Sequence, residues 1–468
     1  MPIKARHGSL LFAAALSVLL GACATRPPRV PEVPVAAQYG LGDSARNAPV
    51  TPFVSGTQVA QMDEWWTQFG DARLARLVSR VRERNTDLVV AGLRLQRARL
   101  VAGLAFDATL PHLDASASAG RTERLRGDEP GTHSYGASAS LGYEVDFWGR
   151  LRAQHTVARW EAEATEQDLH TTALLLVTET CNLYWNLAFL NERIAAGEES
   201  LEHLRRTLAL VETQYKAGGV SRLELREAEQ SLRSQESTQS QLLQQRTETR
   251  NALTVLLNGE PWPIDDEPRD LNDAYSPEIE PGIPAELLSR RPDLRAAELR
   301  LKAQITSGEI TRTRFYPSIS LTGSASSGSS ELRDLLENPV ASLGAAFALP
   351  FLRWNEMRLE RDIADVDEEI AINDFRATLY RAFTEVDNAL SAKAHLAGEL
   401  AAAREAYAAA QEVERIYEVR YRAGAVPLRS WLDAEERLRA AQLAVSRARL
   451  AQLQNDASLF LALGGSAP

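Results

Sequence analysis

The chain has 468 residues, 44% hydrophobic and 25% charged, a globular balance at about three times the length of an ordinary domain. Two cysteines exclude a disulfide framework and a four-cysteine zinc site. With 63 acidic against 52 basic residues the net charge is −11, which argues against nucleic acid as a partner.

Residues 1–22 read as a secretory signal. Lys4 and Arg6 make the positive start, and Leu10 to Leu20 is an apolar stretch too short to span a bilayer. Leu20-Gly21-Ala22-Cys23 has the pattern of a bacterial lipobox, so Cys23 is the expected lipidated N-terminus. Ala24 follows where an inner-membrane retention signal has Asp, which points to the outer membrane. Residues 23–70 form the anchor and its extension, with Pro27, Pro28, Pro31, Pro34, Pro49 and Pro52 marking an extended tether. No run of about 18 apolar residues follows, so no transmembrane helix is expected in the mature chain. Cys181, the other cysteine, falls in a helical stretch and suits a small buried hydrophobe.

From there the chain is one unit written twice, 71–259 and 284–465, joined by a linker at 260–283. At an offset of 206 residues, Asp87-Leu88 falls on Asp293-Leu294, Pro111 on Pro317, Glu179 on Glu385 and Ala228-Glu229 on Ala434-Glu435. Tyr215-Lys216-Ala217-Gly218 likewise falls on Tyr421-Arg422-Ala423-Gly424. Shared helical composition alone does not align proline and glycine punctuation. Each unit begins with a predicted helix of about 30 residues ending at Pro111 or Pro317. Two strand-like segments follow, near 112–121 and 134–146, and near 318–327 and 340–350. Both pairs alternate: Tyr135, Ala137, Ala139, Leu141 and Tyr143 face one way, Gly136, Ser138, Ser140 and Gly142 the other. Ten residues of apolar and small polar alternation match a membrane β-barrel strand, and equally a soluble hairpin with one buried face. If the strands lie in lipid, four cannot close a barrel, so copies must join. Two chains give eight strands and three give twelve, and the small inner residues favour the wider lumen.

A very long helix comes next in each unit. Leu183, Leu187, Leu190, Ile194, Leu201, Leu204, Leu208, Val211 and Tyr215 keep a heptad seam with Gly197 at the skipped position. The second seam is weaker, and Glu414 breaks it. Turns at Gly218-Gly219 and at Gly424 send a helix of about 35 residues back, making two helical hairpins.

Taken together these features resemble the TolC-like outer-membrane factor family, in particular its efflux lipoproteins. The resemblance rests on the lipobox, on Trp65-Trp66, Phe69, Asp71 and Leu74, and on Arg290-Arg291-Pro292-Asp293-Leu294. Phe315-Tyr316-Pro317 and the tip motifs Gln214-Tyr215-Lys216-Ala217-Gly218 and Arg420-Tyr421-Arg422-Ala423-Gly424 complete it. Ala72 departs from the proline common in relatives. The resemblance implies a mainly α protein with a transmembrane β-barrel part. It would be a homotrimer whose 12-stranded barrel, four strands per chain, sits on a periplasmic coiled-coil tunnel. A periplasmic adaptor (membrane fusion) protein would dock at the tips, at Tyr215, Gly218, Gly219, Tyr421 and Gly424, with an inner-membrane pump below. The tips would also close the channel, through Arg420, Tyr421 and Asp433 with Glu224 and Glu227. Without the resemblance, charges beside a helix turn are ordinary solvated caps. Arg429 stands where some relatives carry an apolar gate residue.

Enzyme signals are poor. The seven histidines have no metal-ligand spacing, and neither a nucleophile elbow nor a P-loop occurs, so no metal, cofactor or catalytic residue is expected. Two other readings share much of this pattern: an exit channel for type I protein secretion, and a lipid-anchored coiled-coil scaffold without a pore. The scaffold leaves the four alternating strands unexplained.

Overall fold

The computed structural model describes residues 64–123, 131–271, 275–279 and 290–465. The signal, Cys23 and the tether lie outside the described residues, as do parts of the linker. The first half runs α1 (Ala72–Arg84), α2 (Thr86–Asp107), β1 (His112–Thr122), β2 (Thr132–Val145), α3 (Arg150–Lys216) and α4 (Arg222–Leu256). The second repeats the order as α5 (Pro292–Thr313), β3 (Ser318–Ser329), β4 (Val340–Ala348), α6 (Trp354–Arg422) and α7 (Leu428–Ala462). The described chain divides into two compact units, one of Arg94–Glu166 with Ala296–Ala377, the other of the rest.

The first unit holds the sheet. Its four antiparallel strands stand in sequence order, β1-β2-β3-β4. The register lines up like with like across all four: Leu113, Leu141, Gly323 and Leu343 form one row. The neighbouring row is Asp114, Ser140, Ser324 and Ser342. Hydroxyls close the polar face sideways, Ser116 to Ser138 at 2.8 Å and Ser324 to Ser342 at 2.7 Å. The apolar face is bare: Leu113, Phe347 and above all Leu343, 95% exposed, have no cover among the described residues. Among the described residues β1 and β4 each pair on one side only.

The second unit holds the main core. A short helical turn at Trp65–Phe69 buries three aromatic rings. Trp65 stacks on Phe460 at 4.9 Å, and Phe69 leans on Trp185 at 4.8 Å. Asp71 then caps α1, its carboxylate accepting from the amides of Arg73 and Leu74. Cys181 is fully buried here, as a hydrophobe. By length and composition α3 could cross a membrane, but 72% of its apolar window is buried inside the fold. It is the spine of this core, carrying Tyr184, Trp185, Leu187 and Leu190.

The structure corrects one expectation. The first unit does not open with a single helix of about 30 residues: the run breaks at Asn85, whose backbone is extended (φ −66°, ψ 130°). Its carboxamide oxygen accepts from the amides of Asp87 and Leu88, capping α2. Its amide nitrogen donates to the Leu256 carbonyl at the end of α4, at 3.2 Å. At the 206-residue offset the equivalent of Asn85 is Arg291, and that of Leu256 is Ala462. Arg291 donates to the Ala462 carbonyl at 3.0 Å, from the start of α5 to the end of α7. The two halves thus make the same closure with different side chains.

Candidate functional site: the helical tips

Both hairpins turn in the same way. At the end of α3 the Gly218 and Gly219 amides donate to the Tyr215 and Gln214 carbonyls at 3.0 and 2.8 Å. At the end of α6 the Gly424 and Ala425 amides donate to Tyr421 and Arg420, both at 2.9 Å. This closure needs a left-handed residue, and Gly218 and Gly424 supply φ of 74° and 68°. Tyr215, Gly218, Gly219 and Gly424 are exposed, and Tyr421 is half-buried.

The chain then re-enters helix differently in the two halves. Ser221 and Glu224 form a reciprocal capping box at the start of α4. Pro427 opens α7 without a side-chain cap. Glu224 therefore has a local structural task. It also acts on its neighbour: burial first, and then the Glu224 charge, push the Tyr421 phenol above its ordinary pKa. The Tyr421 hydroxyl donates to Gln214 Oε1 at 3.2 Å, linking α6 to α3.

Two further sequence candidates meet through a third residue. Arg429 reaches Glu227 Oε1 at 3.3 Å and lies 3.9 Å from Asp433. It thus ties α7 to α4 with a charge. Arg420 is exposed, and among the described residues no ion pair joins it to Glu224 or Glu227.

The sequence reading missed the centre of this region. Trp431, 2% exposed, stacks on Tyr421 at 5.3 Å and meets the edge of His203 at 5.5 Å. Its indole N–H donates to Glu414 Oε1 at 2.9 Å. The residue that interrupts the second heptad seam is thus the acceptor for a buried indole. A tryptophan four residues beyond Pro427 was the one signal that could have pointed here.

The model of the outer membrane efflux protein family matches residues 77–259 and again 283–465. The chain belongs to the outer membrane efflux protein family. Its relatives include the pyoverdine export outer membrane protein OpmQ of Pseudomonas aeruginosa, 30% identical over 96% of this chain and 95% of that protein. The probable efflux pump outer membrane protein TtgC of Pseudomonas putida is 31% identical over 98% and 95%. Among solved structures, the open-state MtrE outer membrane channel of Neisseria gonorrhoeae superposes with a TM-score of 0.81. It is 28% identical, over 95% of this chain and 98% of its own. An outer membrane efflux protein is a channel of the outer membrane, and the bare apolar row of the sheet is the surface such a location requires. The family model covers the two halves separately, which makes the 206-residue repeat a property of the family's architecture.

Proposed function

We propose that three copies of this chain form the exit duct of a tripartite efflux pump. In this reading an inner-membrane pump supplies the energy and a periplasmic adaptor protein docks at the tips. The duct passes small molecules outward without chemistry of its own. The observation that carries the reading is the four-stranded sheet with two open edges and an uncovered apolar face. An open sheet in lipid leaves unpaired backbone groups at several kcal/mol each. Closing three sheets into twelve strands removes every edge and gives a lumen lined by Ser, Gly and Thr. Exposed Leu100, Val101, Leu104, Ile363 and Ile370 on α2 and α6 supply apolar surface for packing between copies. Cys23, lipidated, would add an anchor in outer-membrane lipid.

In the same reading the tips converge on the threefold axis and hold the duct shut. Arg420 stays free to reach a neighbouring copy, Tyr421 fixes α6 to α3, and Asp433 with Glu227 places an acidic level near the axis. The test is single-channel conductance in planar bilayers. Replacing Arg420 by Ser together with Tyr421 by Phe should raise conductance. Asp433→Asn should lower the preference for cations, by removing one charge per copy from a narrow level. A chain that conducts no current in any of these forms is not a duct.

A further inference from the structure

The tip carries a group that the gate described above does not use. His203 Nε2 on α3 lies 2.5 Å from Glu435 Oε1 on α7. The Glu435 carboxylate is only 8% exposed, and the imidazole is 38% exposed. Trp431 covers the ring edge-on and is itself fixed by Tyr421 and Glu414. Arg439 lies 3.9 Å from the other Glu435 oxygen and donates to Ser200 on α3 at 3.2 Å. The contact therefore joins the long helix of the first hairpin to the return helix of the second, beneath Tyr421. The repeat supplies an internal comparison. At the 206-residue offset His203 corresponds to Ala409 and Trp431 to Leu225, while Glu435 corresponds to Glu229. Glu229 instead pairs with Arg226 three residues away on its own helix. Only one of the two equivalent places has been built into a cross-hairpin contact.

We propose that the His203–Glu435 pair is a pH-sensitive latch that holds the two hairpins of each tip together when His203 is protonated. It rests on the reading of the tips as the closed end of a duct. The charges that face the imidazole are nearly all acidic: Glu435 from α7, and Glu414 and Glu418 from α6, with Arg439 reaching it only across Glu435. The Glu435 contact is the largest influence and raises the His203 pKa above 6.5, partly offset by burial. A raised histidine pKa means the stabilisation is complete below the ordinary value and is lost as the pH climbs through the raised one. Below that point imidazolium and carboxylate form a charge-assisted contact in a half-buried setting. Above it the imidazole is neutral and the charge assistance is lost, so the hairpins are held by Arg439–Ser200, Tyr421–Gln214 and Arg429–Glu227 and part more readily. The consequence is a tip that closes more firmly in acid and opens more readily in weak alkali.

The experiment is conductance of the assembled wild-type channel in planar bilayers, from about pH 5.5 to about pH 8.5, a range that brackets histidine titration. Conductance should rise through a midpoint above 6.5. His203→Gln should abolish the step, and Glu435→Gln should shift it to lower pH. The doubly substituted Arg420→Ser, Tyr421→Phe channel is run alongside. If that channel conducts more than wild type while the pH step survives His203→Gln, the latch is wrong and the gate stands. If that channel is unchanged too, the gate reading itself fails. Should either latch variant fail to assemble, the imidazole resonances of labelled wild-type protein decide: a His203 midpoint at or below 6.5 overturns the proposal.

Discussion

Gly197 shows how much one hydrogen atom can decide at the scale of a residue. It sits mid-helix in α3, where alanine is ordinarily favoured by about 1 kcal/mol. A Cβ there would stand 2.1 Å from Gln239 Oε1. Gln239 is 7% exposed, and its amide donates to the Ile194 carbonyl at 3.1 Å, bracing α4 against α3. Displacing a buried amide costs roughly 1–3 kcal/mol, which outweighs the helix gain. Gly197→Ala should therefore lower the thermal midpoint of the assembled protein, followed by circular dichroism in detergent. The same substitution in a Gln239→Ala background should raise it, because the obstruction is gone. Additive effects of the two changes would mean that the glycine is not kept for this contact. The heptad seam marked Gly197 as a skipped position, and only the structure supplies the reason: the return helix lays Gln239 against it. The tip divides in the same way. Its glycines, Tyr215 and Tyr421 could be found from the sequence, because a left-handed turn demands its own punctuation. His203, Trp431, Glu435 and Arg439 could not be grouped. Ser200 and Arg439 are 239 positions apart, and nothing local says that they meet.

At the scale of elements, the two halves fasten their opening helices with different side chains. Strands were readable, since a period of two survives any context. The break at Asn85 was not, because no proline or glycine marks it and Asn-Thr-Asp is a weaker stop than either. What breaks the helix is a side chain that caps α2 and closes onto the end of α4. In the second half Arg291, 7% exposed, does the corresponding work and also binds Asp293 and Glu385 at 2.7 and 2.8 Å. Asn85→Ala loses a cap worth about 1 kcal/mol and leaves the Leu256 carbonyl without its donor. Arg291→Met loses hydrogen bonds to charged groups, each worth about 1.5–3 kcal/mol, and leaves two carboxylates side by side. Thermal unfolding should accordingly show a drop for both, with Arg291→Met the larger. Equal losses would mean that the two closures are interchangeable caps and that the carboxylates add nothing. The Arg-Arg-Pro-Asp-Leu run that helped to place the family thus has a structural meaning: its second arginine fastens the opening helix of the unit to the closing one.

For the whole molecule, insertion depends on which face of the sheet meets lipid. Leu343 and Ser342 are neighbours in β4 yet belong to opposite rows, one with Leu141 and Leu113, the other with Ser324, Ser140 and Asp114. In a trimer that closes as a barrel, the first row lies outside and the second lines the lumen. A charged residue on the lipid face near mid-membrane costs about 2–4 kcal/mol per chain. Three copies multiply that cost, because insertion requires all three sheets at once. Leu343→Arg should sharply reduce folded trimer in outer-membrane fractions, judged by native mass measurement. Ser342→Arg, one residue away, points into water. It should assemble at near-normal yield and lower conductance by narrowing the lumen. The pair tests oligomer and orientation together. If native mass shows mainly one or two chains for the wild type, twelve strands never close. If instead Ser342→Arg is the variant that fails to insert, the faces are reversed, and the serine rows pack against something other than water.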